Sequence, residues 1–444
     1  MRIRPRLGVS LLLLCAGCAT YPVNRPLAQY KPDYGYRFSH YFPRLQDDET
    51  FVILTFSGGG TRAASLAYGV LRELDRTPVG NGKSLLDEVD LISGVSGGTF
   101  TAMYYALHGK EGLPDFEKDF LRKDVQGILK RSIWKPRNLV RLLSSYYSRA
   151  DLAAEIYDQE VFHGATFADV AARNRRPFVI VNASEIDIGA RFEFTQEEFD
   201  RFCSDLGSFP VARALTASSA VPVLLTPIRM VSYAGQCGYK EPEWIEPALK
   251  KYASDPLEYR EAWERRAFLH PERNALHLMD GGISDNLGLR TAIRAMTSGH
   301  GDFSLLDLMK QEKIRRIVVI AVNAGRESDV KLGIEDRITG LGTVMRKVTV
   351  NQMTQHSFDS LGLLQKVAED VPGVPVYIIH VDLYEVDDPA EKAIIHNIPT
   401  AFTLTKEQVD YLIGLGPRML RASEQYQALV RDLTQSRTSE AVHP

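Results

Sequence analysis

The chain has 444 residues, 53 of them Lys or Arg and 56 Asp or Glu, so its formal net charge is −3, and its length allows one large domain or several average ones. Hydrophobic residues make up 44% and charged residues 25%, which excludes an intrinsically disordered chain. The near-neutral balance gives no basic footprint for nucleic acid, and four cysteines do not make a disulfide scaffold.

Residues 1–17 are typical of an export signal. Arg2, Arg4 and Arg6 precede a short apolar run that ends at Gly17. As a helix this run is about 16 Å long, about half of a hydrocarbon core, so it is too short to span a membrane. The sequence Cys15-Ala16-Gly17-Cys18 at its end resembles a bacterial lipobox. An ordinary signal peptide or a wrongly assigned start is the alternative interpretation.

A lipobox implies that Cys18 is lipidated and becomes the mature N-terminus. Ala19 behind it favours the outer membrane, on the periplasmic side, over the inner membrane. Cleavage before Cys18 removes three arginines and no acids, so the net charge becomes 50 − 56 = −6. We therefore expect a lipid-anchored protein of the bacterial cell envelope that is not drawn to anionic lipid by its overall charge.

Two cysteines, Cys203 and Cys237, remain in the body of the protein. An oxidising periplasm would let them pair across a loop of about 34 residues. Two buried free thiols are equally compatible with the sequence, because the separation of the two residues in space is not encoded in their spacing.

The sequence changes character near residue 51. Residues 18–50 contain four scattered prolines and no regular period, which is typical of a tether. From Phe51 the chain alternates between apolar runs and helical stretches, so we predict one domain over 51–435, with its motifs between 51 and 290. Residues 436–444 are expected to be a flexible tail.

The apolar runs predict strands, and the stretches between them predict helices. A helix is expected over Ala63–Leu74 and another from the turn at Gly94–Gly98 through Leu107. This alternation predicts an α/β fold with a mostly parallel central sheet and helices on both faces. The predicted strands are Phe51–Phe56, Val89–Ser93, Pro177–Asn182, Arg191–Thr195, Ile317–Asn323 and Pro375–His380.

Two further segments stand out. Residues 240–273 are rich in charge, Trp, Tyr and Pro, and are expected to be a surface insertion, either a plain one or a cover over the site. Thr405-Lys406-Glu407-Gln408 fits a capping box, so a C-terminal helix is expected to begin there.

Gly94-Val95-Ser96-Gly97-Gly98 is a G-x-S-x-G pattern between a predicted strand and a predicted helix. A nucleophilic serine needs such a sharp turn to expose its hydroxyl, and the flanking glycines allow close packing. A simple glycine-rich turn is the alternative.

Ser57-Gly58-Gly59-Gly60-Thr61-Arg62 follows the first predicted strand and opens a helix. Gly58, Gly59 and Gly60 can turn their N–H groups towards an anion, as an oxyanion hole does at about 3 kcal/mol per donor. Arg62 either holds this loop or pairs at the surface.

The same glycines allow a dinucleotide-binding interpretation, because Gly58-x-Gly60-x-x-Ala63 fits the G-x-G-x-x-A fingerprint. That fold also requires an acid at the end of the next strand, about 20 residues on. Glu73 and Asp75 fall in or just after the helix, and Asp90 begins the next strand, so this interpretation fits poorly.

Asp280-Gly281-Gly282 ends another apolar stretch. Asp280 could accept the Ser96 proton in a two-residue dyad, provided that burial raises its pKa above the ordinary value of about 3.9. The alternatives are a plain Asp-Gly-Gly turn and a histidine triad, for which His380 is the candidate in chain order.

In this order the three motifs resemble those of the patatin-like phospholipases, and Ala217–Pro222 resembles a segment that these enzymes carry between nucleophile and aspartate. The resemblance implies a three-layer α/β/α fold and hydrolysis of lipid acyl esters through an acyl-enzyme, with no cofactor or metal. It makes Ser96 the nucleophile, Asp280 the base and Gly58–Gly60 the oxyanion hole. The supporting motif residues are Arg62, Gly94, Gly97, Gly98, Gly281 and Gly282.

Residues 130–149 form a basic–aromatic segment that contains no acid. Basic residues next to aromatic ones suit contact with anionic lipid headgroups, although a solvated basic face packed by its apolar side explains them too. The segment contains Lys130, Arg131, Lys135, Arg137, Arg141 and Arg149 with Trp134, Leu142, Leu143, Tyr146 and Tyr147.

The sequence thus favours a lipid-anchored serine hydrolase of phospholipid or lysophospholipid acyl groups. A non-catalytic envelope lipoprotein that binds lipid or a protein partner in the same pocket is the second hypothesis, and a dinucleotide-dependent enzyme is the third.

Overall fold

A computed structural model describes residues 23–40, 49–80, 82–270, 272–299, 305, 314–326, 340–371 and 373–440. The predicted export signal and the candidate lipidation residue Cys18 lie outside these ranges.

The described strands form one mixed sheet and one short hairpin. In the sheet the order is β10-β9-β1-β4-β5-β8-β7, and β6 pairs with β5; β2 and β3 form the hairpin. The strands are Thr50–Phe56 (β1), Pro78–Gly80 (β2), Lys83–Ser84 (β3), Val89–Val95 (β4), Phe178–Glu185 (β5), Ala190–Glu193 (β6), Ile228–Val231 (β7), Ala275–Asp280 (β8), Arg316–Asn323 (β9) and Val376–Asp382 (β10).

The described α-helices connect and cover the strands. They are Thr61–Arg76 (α1), Gly97–Phe116 (α2), Val125–Ile133 (α3), Pro136–Leu142 (α4), Arg149–Tyr157 (α5), Phe167–Arg173 (α6), Gln196–Arg201 (α7), Val211–Ser218 (α8), Ile245–Ala248 (α9), Pro256–Phe268 (α10), Gly282–Asp285 (α11), Leu289–Thr297 (α12), Leu341–Asp370 (α13), Pro389–Asn397 (α14), Lys406–Ala422 (α15) and Glu424–Glu440 (α16). No helix within the described ranges is both long and apolar enough to cross a bilayer.

The centre of the sheet is buried on both faces. All residues of β1, β4 and β5 are buried, which requires a helical layer on each side of the sheet. The neighbouring pairs from β10 to β5 are parallel, whereas the pairs of β5 with β8, of β8 with β7 and of β5 with β6 are antiparallel. The predicted α/β/α fold with a mostly parallel sheet is therefore confirmed.

All six predicted strands are present, with ends that differ by a few residues. The sequence did not indicate β7 or the hairpin of β2 and β3. Each of these strands has only two to four residues, too short to show a clear alternation of apolar side chains.

The predicted tether packs on the domain where it is described, so the boundary at residue 51 is placed too late. Residues 23–40 have irregular structure, but Tyr36 and Phe38 are buried, and Tyr36 stacks on Phe178. Arg37 forms a buried ion pair with Asp200. Burial of two large aromatic side chains favours docking of this segment over free extension.

The C-terminal end also differs from expectation. The capping box of α15 is confirmed, with Gln408 N–H donating to Thr405 Oγ1 at 3.3 Å and Thr405 N–H donating to Gln408 Oε1 at 3.1 Å. Helix α16 continues to Glu440, so residues 436–440 are helical rather than part of a loose tail.

Cys203 and Cys237 form a disulfide with 5.5 Å between their Cα atoms. The bond joins the end of α7 to the loop after β7. Both cysteines also hold the docked N-terminal segment, because Leu27 N–H donates to Cys203 O and Tyr30 N–H donates to Cys237 O. The structure thereby selects pairing over free thiols.

The predicted insertion at 240–273 contains α9 and α10. It packs through Phe268 on Phe192 and through Arg265 on Glu197, against the edge that carries β6. Its part in covering the site stays a prediction.

Candidate active site

Ser96 lies at the turn between β4 and α2. Its φ of +47° is a backbone conformation that few non-glycine residues adopt, and it aims the side chain out of the strand–helix turn. Close approach of the neighbouring loop explains the glycines that follow. A Cβ on Gly97 would overlap the Gly60 carbonyl oxygen, and one on Gly98 would lie 2.6 Å from the Phe56 Cβ.

Hydrogen bonds hold the Ser96 backbone in this conformation. Ser96 N–H donates to the Ser218 hydroxyl at 2.8 Å, and that hydroxyl donates to the Asn182 carbonyl at 2.6 Å. The Ser96 carbonyl accepts from Thr99 N–H at 3.0 Å. Ser218 belongs to the Ala217–Pro222 segment. The sequence analysis identified this segment by resemblance but did not predict that Ser218 supports the Ser96 backbone.

Asp280 ends β8, and its side chain is almost fully buried. Ser96 contributes a hydrogen bond to the carboxylate, and Gly282 N–H donates to Oδ1 at 2.9 Å. Burial raises the pKa of Asp280 to about 6, against the opposing effect of these two hydrogen bonds. The structure thus brings together the two residues on which the predicted dyad depends.

The glycines after Asp280 make room for the elements around it. A Cβ on Gly281 would overlap the Asn182 carbonyl, and one on Gly282 would overlap the Met353 methyl group of α13. Gly94 likewise contacts Thr99. Met353 therefore lies against the site, a neighbour that sequence spacing gave no means of finding.

The glycine-rich loop lies beside the serine, since a Cβ on Gly58 would be 3.4 Å from Ser96 Cβ. One of its predicted donors is already used: Gly58 N–H donates to the Asn286 carbonyl at 3.1 Å. The inclusion of Gly58 among the oxyanion donors is therefore wrong for this conformation. The N–H groups of Gly59 and Gly60 have no protein acceptor in the described part of the chain.

Arg62 holds the loop from inside the protein. Its guanidinium is buried and donates to the Ala324 carbonyl at 2.9 Å and to the Ile398 carbonyl at 3.0 Å. Burial lowers the pKa of Arg62 to about 10, and the charge of Arg326 acts in the same direction. The surface-pairing alternative is therefore wrong, because both partners are internal carbonyls.

The histidine triad does not form around Ser96. His380 lies inside β10, which is three strands from β4, so about 14 Å of sheet separates them. The acids required for dinucleotide binding are also occupied: Glu73 pairs with Arg421, and Asp90 accepts from Val52 N–H at the start of β4. Within the described ranges, no three His, Cys, Asp or Glu side chains cluster as metal ligands would.

Fold and site together define an α/β protein with a strained serine at a strand–helix turn and a buried carboxylate beside it. The model of the patatin-like phospholipase family matches residues 54–293, more than half of the chain, and the chain belongs to this family. Membership supports a lipid hydrolase activity.

Two solved structures are similar to the chain at low identity. The human GIVD cytosolic phospholipase A2 is 13% identical with a TM-score of 0.47, covering 90% of this chain and 65% of its own. VipD from Legionella pneumophila is 11% identical with a TM-score of 0.31, covering 95% of this chain and 72% of its own. No curated protein matches the chain significantly.

Proposed function

We propose that the protein hydrolyses acyl esters of phospholipids or lysophospholipids through an acyl-enzyme on Ser96, with Asp280 as the general base. The observation that carries this proposal is the buried hydrogen-bonded pair of Ser96 and Asp280. Within the described ranges, the groups that act on the carboxylate are the Ser96 hydroxyl and Gly282 N–H, and neither is a histidine or a cation. A two-residue dyad needs the carboxylate itself to take the serine proton.

The raised pKa of Asp280 suits this task. A carboxylate with an ordinary pKa near 3.8 is a weak base at neutral pH, whereas one near 6 takes a proton more readily and is still ionised at pH 7. Desolvation supplies the shift, so the apolar surroundings of Asp280 serve catalysis directly.

In the first half of the reaction, Ser96 Oγ bonds to the ester carbonyl carbon while its proton passes to Asp280. The tetrahedral intermediate collapses, the C–O bond to the alcohol breaks, and Asp280 returns the proton to the departing alcohol oxygen. In the second half, water attacks the acyl carbon while Asp280 takes a proton from it. The ester bond to Ser96 breaks, Asp280 returns the proton to Ser96 Oγ, and the fatty acid leaves.

The carbonyl oxygen becomes negative in both tetrahedral intermediates. The N–H groups of Gly59 and Gly60 and the N-terminus of α2, which begins at Gly97, favour negative charge beside Ser96. These donors are fixed before the substrate arrives, because Gly60 is held between Gly97 and the Ala401 carbonyl.

The location of the substrate follows from the predicted anchor. With Cys18 lipidated, the enzyme would work on the periplasmic side of the outer membrane, where phospholipids are in reach. This part of the proposal rests on the N-terminal sequence alone.

A fluorophosphonate probe tests the nucleophile, because it reacts with activated serines. We expect covalent labelling of the parent protein and none of Ser96→Ala, with the exposed Ser254→Ala variant labelled like the parent. Asp280→Asn should label far more slowly. An unlabelled parent with a cooperative thermal transition would instead indicate a non-catalytic lipid-binding protein.

A further inference from the structure

The basic–aromatic segment splits into a buried and an exposed set of side chains. Tyr147 packs with Leu152 and Ile156 in a small core of its own, and Leu142 lies against it. This packing accounts for part of the segment in the way that an ordinary amphipathic face does.

The other apolar side chains of the segment face solvent. Trp134 is 76% exposed, Leu143 78% and Tyr146 58%. Large apolar groups exposed together in this way mark interaction surfaces more often than stable solvent-facing structure. The core packing of α3, α4 and α5 does not explain them.

A second exposed pair joins this set from another part of the chain. Val223 is 58% and Leu224 66% exposed, and Arg149 donates to the Val223 carbonyl at 3.3 Å. Val223 also has a φ of +75°, which is strained for a β-branched residue and holds the pair at a turn.

The pair is directly connected to the active site. Asp280 N–H donates to the carbonyl of Ala220 at 3.1 Å, three residues before Val223. Val223 and Leu224 therefore lie three and four residues beyond a residue that is hydrogen-bonded to the backbone of Asp280.

The charges of this region favour one kind of partner. Within the described ranges, Lys130, Lys135 and Arg137 form no ion pair with an acid, whereas Arg131 and Arg141 are paired with Asp124 and Glu155. Free cations beside Trp and Tyr match the headgroup region of an anionic bilayer, where each basic residue strengthens attachment.

We propose that these residues form a docking surface for a bilayer that contains anionic phospholipid, and that docking presents lipid to Ser96. The delivery of lipid to Ser96 rests on the proposed function, whereas the binding of the surface to a bilayer is tested without it. The docking surface consists of Trp134, Leu143, Tyr146, Val223 and Leu224 with Lys130, Lys135 and Arg137.

Quenching of tryptophan fluorescence by brominated lipids shows which face of the protein contacts the bilayer. It does so even when a lipid anchor already holds the protein at the membrane. The chain has three tryptophans, Trp134, Trp244 and Trp263. In a Ser96→Ala background, Trp244→Phe with Trp263→Phe leaves Trp134 as the reporter. The matched control, Trp134→Phe with Trp244→Phe, leaves Trp263, which is 42% exposed on α10.

With brominated phosphatidylglycerol vesicles, the Trp134 reporter should lose about half of its emission or more, because a docked side chain reaches the boundary between headgroups and acyl chains. The Trp263 reporter should keep its emission. Brominated phosphatidylcholine vesicles should quench Trp134 less.

Charge reversal tests the identity of the partner. Lys135→Glu with Arg137→Glu should reduce the quenching of Trp134 by anionic vesicles to the level seen with phosphatidylcholine, whereas Lys240→Glu with Lys250→Glu, an equal change of charge on the insertion, should not. An unchanged thermal unfolding midpoint of both double variants relative to the parent shows that they fold.

Three results would overturn the proposal: an unquenched Trp134 in vesicle-bound protein, equal quenching of Trp263, or equal quenching by both lipids. Because binding is measured without Ser96, loss of the proposed hydrolase activity leaves this test intact.

Discussion

Asp280 and Glu193 end strands β8 and β6, which both pair with β5, and both carboxylates are buried. Glu193 lies 2.8 Å from Arg191 and 2.6 Å from Arg294, and Thr291 donates to it at 2.9 Å. Among the described residues, the partners of the Asp280 carboxylate are a hydroxyl and an amide N–H.

The two environments shift the pKa in opposite directions. Burial alone would raise the pKa of Glu193, but Arg191 and Arg294 outweigh it and lower the value to about 2, whereas burial prevails at Asp280 and raises it to about 6. The charge of the neighbouring groups, and not the depth of burial, therefore decides whether a buried carboxylate stabilises the fold or serves as a base.

Asp280→Asn should cause the largest loss of activity without a loss of stability. The amide cannot accept the serine proton, so kcat/KM on a chromogenic acyl ester should fall about 10³-fold. The melting temperature should not fall, because the variant removes a poorly compensated buried charge. The exposed Asp187→Asn variant serves as control, and more than a tenth of parental activity in Asp280→Asn would remove Asp280 from the mechanism.

Glu193→Gln should have the converse effect. Arg191 and Arg294 would keep their charges without a carboxylate between them, which lowers the free energy of unfolding by about 3–5 kcal/mol. Urea unfolding measures this loss, and Glu264→Gln, which breaks a partly exposed pair with Arg260, should lose about 0.5 kcal/mol or less. An unaltered free energy of unfolding in Glu193→Gln would show that the ion pairs of Glu193 do not stabilise the fold.

Ser218→Ala tests whether the dyad also depends on its backbone support. Without the Ser218 hydroxyl, Ser96 N–H and the Asn182 carbonyl both lose their partner, so kcat/KM should fall about 10- to 100-fold through misplacement of the nucleophile. Ser219→Ala, whose hydroxyl bonds to Leu215 in the preceding helix, should retain activity. Equal activity of both variants would assign the Ser96 conformation to the glycines alone.

The pH dependence of kcat/KM tests the ionisation of Asp280. Because Asp280 must be ionised to act as base, kcat/KM should fall about tenfold per pH unit below about 6. A pH–rate profile that stays flat down to about pH 4 would exclude a carboxylate with this pKa.

The two residues also contribute to stability in different pH ranges. The folded-state pKa of Asp280 is raised above 3.8, so its contribution is present at low pH and is lost as the pH rises through about 6. The folded-state pKa of Glu193 lies below 4.5, so its contribution is present above 4.5 and is lost as the pH falls towards 2. Unfolding of the parent and of each variant across this range separates the two.

Local sequence was sufficient for the elements that carry the motifs. The strand before the glycine loop is a nearly continuous apolar run, and the strand before Ser96 combines apolar residues with Asp90 and Ser93. The turns after both strands require glycine, so both patterns could be recognised without tertiary information. The capping box at Thr405 is equally local.

Contacts between distant residues could not be predicted in this way. The hydrogen bond from Gly58 N–H to Asn286 and the packing of Tyr36 on Phe178 each join residues more than a hundred positions apart. The contact of Met353 with Gly282 joins residues many tens of positions apart. Nothing in local periodicity records such pairs.

By itself, the sequence determined the strands and helices that carry the motifs, the serine turn, the glycine loop and the aspartate, because each depends on short-range backbone requirements and apolar patterning. Only the tertiary structure decided that Asp280 is buried beside a hydroxyl and an amide N–H, with no cation among the described residues that act on it, while Glu193 is buried between two arginines. The physical reason is that a pKa depends on desolvation and on neighbouring charges, and both are set by which strands and helices meet in space.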